Sequence, residues 1–200
     1  MTLPLASILV LLFASFAALH KPPSPPARPL QSREDVAAAL ARYKRIGLLQ
    51  EDMDHAAEQL ELLRRKREAL FQVLGQRFQP GELSYAKFAS AIANVETLFD
   101  RNVRSVLSRL QAFDEADFES AGSRRAARMP KQLQRMRAEM REELLGFVKY
   151  SIGMNEEILL KLDRLLLEIS RLDAFEPGDI EAMPCMQEID ELIRQTRHYR

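Results

Sequence analysis

Apolar residues return at alternating steps of three and four along most of this chain. From Ile46 they recur at Leu49, Met53, Ala56, Leu60 and Leu63, and after Arg67 at Leu70 and Leu74. Side chains three and four apart share one face of a helix, so this spacing predicts an amphipathic helix packed along a heptad seam. Ser32 followed by Asp35 resembles a capping box with Asp in the Glu position, which opens the helix there. No proline interrupts it before Phe78, and the expectation is one unbroken helix. Gly47 weakens that helix by about 1 kcal/mol relative to Ala without stopping it. Arg67 is the one charged intruder on the stripe.

Phe78-Gln79-Pro80-Gly81 is a firm stop, because proline and glycine do not continue a helix. Ser84 is expected to cap a second helix with the stripe Phe88, Ile92, Val95, Phe99, Val103, Val106, Leu110 and Phe113. A third stripe runs through Leu133, Met136, Met140, Leu144, Phe147, Ser151, Met154, Ile158, Leu162, Leu165, Ile169 and Leu172. Phe175-Glu176-Pro177-Gly178 repeats the Phe-x-Pro-Gly corner. A short helix over about residues 184–198 follows, with Met186, Ile189 and Ile193 on one face. No segment alternates with period two, so strands are not expected.

Long helices joined by short turns become antiparallel neighbours. The predicted fold is all-α: an N-terminal transmembrane anchor, then an elongated antiparallel bundle of three long coiled-coil-like helices plus a short C-terminal helix. The boundaries are an anchor or signal segment at residues 1–20, a Pro-rich linker at 21–31, the three-helix bundle at 32–175 and the C-terminal helix at 176–200. For the second arm to match the others, residues 114–129 extend it partly as helix. Leu159, Leu160, Leu166 and Leu167 lie off the third stripe and need cover, which the C-terminal helix folding back supplies; a second protomer is the alternative. The two Phe-x-Pro-Gly corners are expected at one end of the bundle, far from the membrane.

The first thirty residues are of a different character. From Leu3 to Leu19 no side chain is charged, and as a helix the run is roughly 26–29 Å long, just enough to cross a bilayer core. Five prolines among residues 22–29 follow, suited to a semi-rigid spacer. No Lys or Arg precedes the run, whereas Lys21, Arg28 and Arg33 follow it. That asymmetry favours an uncleaved single-pass anchor in the cell membrane with the bulk of the chain in the cytoplasm. The alternative is a cleaved signal with Ser15-Phe16-Ala17 as its processing site and an exported product.

Composition agrees with a folded helical protein: 46% apolar, 29% charged, seven glycines and no tryptophan. A formal net charge of zero provides no global field for nucleic acid, which is not expected as a partner. Cys185 is the sole cysteine, so disulfides and thiolate metal sites within one chain are excluded. Asp52 and His55 have the spacing of a helical carboxylate–histidine pair, with Glu51 and Glu58 nearby, but a di-iron bundle needs a second such pair. The other histidines, His20 and His198, stand in the anchor flank and near the C-terminus. No Gly-rich phosphate loop or Gly-x-Ser-x-Gly elbow is present. Cys185 with His198 is a bare arithmetical nucleophile–base pair, and Cys185 beside Met183 and Met186 reads as a buried apolar residue. No catalytic residue, cofactor or metal is expected.

The unusual charge pattern is the connector, where Asp114, Glu115, Asp117 and Glu119 are followed by Arg124, Arg125, Arg128, Lys131, Arg135 and Arg137. Arg124, Arg128, Lys131 and Arg135 would share one face of a helix, and bases at a helix start oppose its dipole. A solvated connector with acid–base pairing accounts for them. The sharper expectation is that Arg124, Arg125, Arg128 and Lys131 contact anionic lipid, because a second helix returning toward the anchor brings them to the membrane. The function expected is a non-enzymatic, membrane-anchored helical scaffold, adaptor or sensor at the cytoplasmic face. An exported coiled-coil binding module of the cell envelope and a subunit of a multi-protein enzyme complex are the alternatives. Its partners are the membrane, through the N-terminal helix, and a protein or a second protomer.

Overall fold

The computed structural model describes residues 32–113, 118, 129–171, 180 and 183–197. Among them are five helices and no strand. The helices are α1 (Arg33–Tyr43), α2 (Gln50–Arg77), α3 (Leu83–Gln111), α4 (Lys131–Ser170) and α5 (Pro184–Arg197). The protein is an all-α helical bundle. No helix among the described residues is long and apolar enough to cross a membrane, and the expected anchor (1–20) and Pro-rich linker (21–31) lie outside the described residues.

The capping box at the start of α1 forms as expected: Ser32 Oγ accepts from the Asp35 amide at 3.0 Å, and Asp35 accepts from the Ser32 amide at 2.9 Å. The single helix expected from there to Phe78 does not form. It breaks at residues 44–49 into turns in which Arg45, Ile46 and Leu49 bond back three residues, to Arg42, Tyr43 and Ile46. Gly47 lowers the cost of the break, and burial is what the break gains. α1 folds back along α2 and α3 and buries Val36, Leu40 and Tyr43, while Leu49 in the turn is wholly enclosed. Each such burial contributes about 1.5–3 kcal/mol, more than the local cost of interrupting a helix at glycine.

The Pro80-Gly81 corner stops α2 as expected. Phe78 ends the helix in extended conformation, and its ring tilts against Phe88 at 5.8 Å. Ser84 is not the cap of α3. Glu82 occupies that position at φ −77°, ψ 144°, its carboxylate accepting from the Gln79 amide at 2.6 Å, and Ser84 is buried in the first turn. The α3 stripe is enclosed from Phe88 to Leu110, and Phe113 packs partly buried against it.

α2 and α4 run parallel and make the most extensive contact of the bundle. Gln59 meets Ile152 and Glu156, Lys66 pairs with Asp163, and Arg77 donates to the Ser170 carbonyl at 2.8 Å. α3 returns between them, with Arg67 reaching Glu96 and Asn102 bonding Asn155 at 3.1 Å. α5 folds back on α3 and α4. It buries Cys185, Met186, Ile189 and Leu192, and Glu188 bridges Lys161 at 3.2 Å and Arg164 at 2.9 Å. Leu159 is buried and Leu166 partly so, but Leu160 and Leu167 remain 56% exposed, so the cover expected from the C-terminal helix does not reach those two. The second Phe-x-Pro-Gly corner, residues 175–178, lies outside the described residues.

Candidate functional site

Arg124, Arg125 and Arg128 of the expected lipid-contact cluster lie outside the described residues. Lys131 is the first residue of α4 and exposed. Pro130 caps the helix at φ −52°, ψ 139°, a non-helical conformation, and Gln134 Nε2 donates to the Met129 carbonyl at 2.8 Å. A continuous helix carrying Arg124 and Arg128 into register with Lys131 and Arg135 is therefore interrupted at Pro130. The proline fixes φ at a value suited to a helix start and pushes Met129 away from helical geometry.

The larger departure concerns the third stripe. Its residues from Leu144 to Ile169 are buried in the core or, like Phe147 and Met154, partly buried against it, and Leu172 lies outside the described residues; Leu133, by contrast, is 48% exposed and Met136 and Met140 are each 51% exposed. No residue from Lys131 to Glu143 is buried. The helix register explains this. The Arg109 guanidinium lies 3.6 Å over the Phe147 ring, and Asp52 near the start of α2 faces Lys149. α3 ends two residues after Arg109 and α2 begins two residues before Asp52, so the first thirteen residues of α4, about 20 Å of helix, stand beyond both. Leu133, Met136, Met140 and Leu144 share one face at steps of three and four. Among the described residues, the seam that α2 and α3 cover in the body thus continues past their ends at the tip with its apolar side chains half exposed. Between Lys131 and Arg141 four bases (Lys131, Arg135, Arg137 and Arg141) stand against one carboxylate, Glu139.

The polar residues inside the bundle serve one another. Gln59, wholly buried, donates to the Ile152 carbonyl and to Glu156 Oε2, both at 3.0 Å. Its Oε1 is buried without a hydrogen-bond partner. With Asn155 and Asn102 it forms a polar layer across α2, α3 and α4. The periodicity of the sequence, which placed Leu60 on the seam, gave no signal for Gln59; a helical turn taken one residue earlier would have found it. Lys66 is about four-fifths covered, and Arg67 turns outward to pair with Glu96 at 3.0 Å and to lie 4.9 Å over the Phe71 ring.

The Asp52–His55 pair collects no further ligand. His55 Nε2 lies 3.7 Å from Glu156, and among the described residues no group of three or more His, Cys, Asp or Glu side chains is placed to hold a metal. Partial burial raises the Asp52 carboxyl above the usual range against the opposing pull of Lys149, with Glu51 adding to the rise. Cys185 is 1% exposed, and burial, reinforced by Glu168, pushes its thiol far up. His198 lies outside the described residues. A cavity of about 260 Å³ between α1, α2 and α3 has an apolar floor of Val36, Leu60, Leu63 and Val103 under a mixed rim that includes Arg33, Arg64 and Asp100.

The architecture defines this protein as a helical bundle with an uncovered, basic, apolar-striped tip. Comparison of the chain with protein-family models, with curated proteins and with solved structures finds no match.

Proposed function

We propose that this chain is a non-enzymatic helical scaffold or adaptor, held at the cytoplasmic face of the cell membrane by residues 1–20. Lys131, with the connector bases Arg124, Arg125 and Arg128, touches anionic lipid. The observation supporting this reading is the line of exposed apolar side chains, Leu133, Met136 and Met140, that stands among bases at one end of the bundle. The polar groups of the body bond to one another: Gln59 to α4, Asn102 to Asn155, and Glu188 to Lys161 and Arg164. The exposed apolar side chains and an excess of bases meet at the end where α3 hands the chain to the connector. Bases beside an anionic leaflet are attracted by about 1 kcal/mol each, and a rigid bundle carries such a contact without any chemistry of its own.

The test is fractionation of the full chain from cells, with sequencing of its N-terminus. The expected result is a membrane fraction that resists high salt, dissolves in detergent and begins at Met1, with a reporter active only outside the cytoplasm silent when fused after Arg200. A mature N-terminus near Ala18 with an active reporter overturns the anchor and favours the exported binding module. Replacement of Arg124, Arg125, Arg128 and Lys131 by Gln is expected to abolish the salt-sensitive share of binding to anionic vesicles and to leave the anchored share intact.

A further inference from the structure

The tip of α4 offers more than charge. A helix that lies in a membrane interface needs an apolar stripe on one side and bases beside and behind it. The first three turns of α4 have that form: Leu133, Met136 and Met140 half exposed in one line, with Arg137 and Arg141 along one border by helical spacing and Lys131 and Arg135 on the back. Glu142 and Glu143 come only where the stripe enters the bundle at Leu144. Methionine suits such a surface, being unbranched and able to mould to irregular apolar neighbours.

We infer that the apolar stripe Leu133–Met136–Met140 inserts into the interface of an anionic lipid surface, giving the protein a second membrane contact in addition to the anchor. This rests on the membrane reading above and adds insertion to it. Charge complementarity selects an anionic surface: residues 131–141 carry four bases and one carboxylate in sequence, Lys131 and Arg135 being exposed and Arg137 and Arg141 holding contacts within the chain as well. The second support is the length and attachment point of the N-terminal segment. Arg33 and Val36 lie beside Leu60, Leu63 and Arg104, so the chain enters halfway along the bundle, at the level where α4 carries Glu157. From there to Lys131 is about 39 Å along α4. A Pro-rich stretch the length of residues 21–31 spans up to about 34 Å. Tether and tip arm are therefore matched in reach, and the tip meets the surface that holds the anchor when the bundle lies aslant over it.

The chain has no tryptophan, so Met136→Trp places a single indole on the stripe. The full chain carrying Met136→Trp is reconstituted into vesicles of phosphatidylcholine, with or without phosphatidylglycerol and with or without brominated acyl chains. Leu160→Trp, on the exposed flank of the same helix, is the control. The expected result is a blue-shifted emission quenched several-fold by brominated lipid, in anionic vesicles only, reversed by high salt; the Leu160→Trp emission stays unquenched. Leu133→Ser with Met140→Ser is expected to remove the quenching while the chain still floats with the vesicles. If the chain floats at high salt but the indole at position 136 is unquenched in anionic vesicles, insertion is overturned and the anchor stands. If the chain does not float at high salt, the anchor falls as well. A blue shift that grows with protein concentration in the absence of anionic lipid overturns lipid in favour of a second copy of the chain.

Discussion

Met140 and Leu144 are one helical turn apart on the same face of α4, and the end of the core falls between them. Leu144 is 5% exposed and Met140 is 51% exposed. Truncating Leu144 to Ala removes about three buried carbons at the edge of a packed seam. The expected cost is about 2–3 kcal/mol, at the low end for a buried leucine because the open end of the bundle can relax into the space. Met140→Ala removes a side chain that shields little, and the two residues have similar helix propensity, so its cost is expected to stay within about 0.5 kcal/mol. The assay is urea unfolding of residues 30–200, followed by far-UV circular dichroism at two protein concentrations. In thermal unfolding Leu144→Ala corresponds to a loss of about 4–12 °C for a domain of this size. An equal, concentration-independent cost for the two substitutions would show that the tip is covered within the chain, and the reasoning from register would fail.

Three further outcomes follow from the packing. Phe99, fully buried, should cost about 3–5 kcal/mol on truncation to Ala, whereas Phe147, partly exposed with Arg109 against its face, should cost about 1–3 kcal/mol; equal costs in urea unfolding would contradict that ranking. Gln59→Met exchanges two hydrogen bonds for relief of a buried unpartnered oxygen and should fall within about 1.5 kcal/mol of wild type, while Gln59→Ala, which also leaves a cavity, should cost about 2–3 kcal/mol; a loss above about 3 kcal/mol for the Met variant would refute this balance. The hydrogen bond from Lys161, with the charges of Lys161 and Arg164 behind it, holds the Glu188 carboxyl below its ordinary value of 4.5 against the opposing effect of burial. Its contribution to docking α5 is thus complete above that value and lost as pH falls through the depressed one; Glu188→Gln should remove that part of the acid dependence in thermal unfolding, and an unchanged pH profile would exclude the clasp.

Helix content, the Pro80-Gly81 corner and the inward face of α3 were legible because period and breakers are local properties. Phe88, Ile92, Val95 and Phe99 are spaced as a seam and are buried as one. Two features were not legible. A glycine in a helical pattern marks a weak point, but whether the chain turns there depends on what the far arm can bury. Val36, Leu40 and Tyr43 found cover only by folding back, so Gly47 became part of a turn. The stripe of α4 likewise names the face that seeks a partner, and it does not say how far the partner helices extend. Leu133, Met136 and Met140 carry the same signal as Leu144 and Ile158, and only the relative positions of the ends of α2 and α3 separate them. Of the expected lipid-contact residues only Lys131 falls in the described part, and its exposure at the start of α4 was legible as a base near a helix boundary. Pro130 divides it from the arginines before it, a backbone restraint that the four-three-four spacing of the bases does not report.

The parallel pairing of α2 with α4 has a consequence for how the chain is made. Gln59 bonds across 93 and 97 residues, Lys66 across 97 and Arg77 across 93. On a ribosome adding about 5–20 residues per second, α2 has emerged for several seconds before the segment that covers its second flank exists. During that interval only α1 and α3 can shelter the seam of α2, α3 through the short corner at Phe78 and Phe88, and Gln59 has only water for a partner. The nascent chain therefore passes through a three-helix stage, α1 to α3, with one wet, partly apolar side, the kind of surface that holding chaperones bind. A synthesis pause placed after Gln111 would prolong that stage and a pause after Ser170 would not.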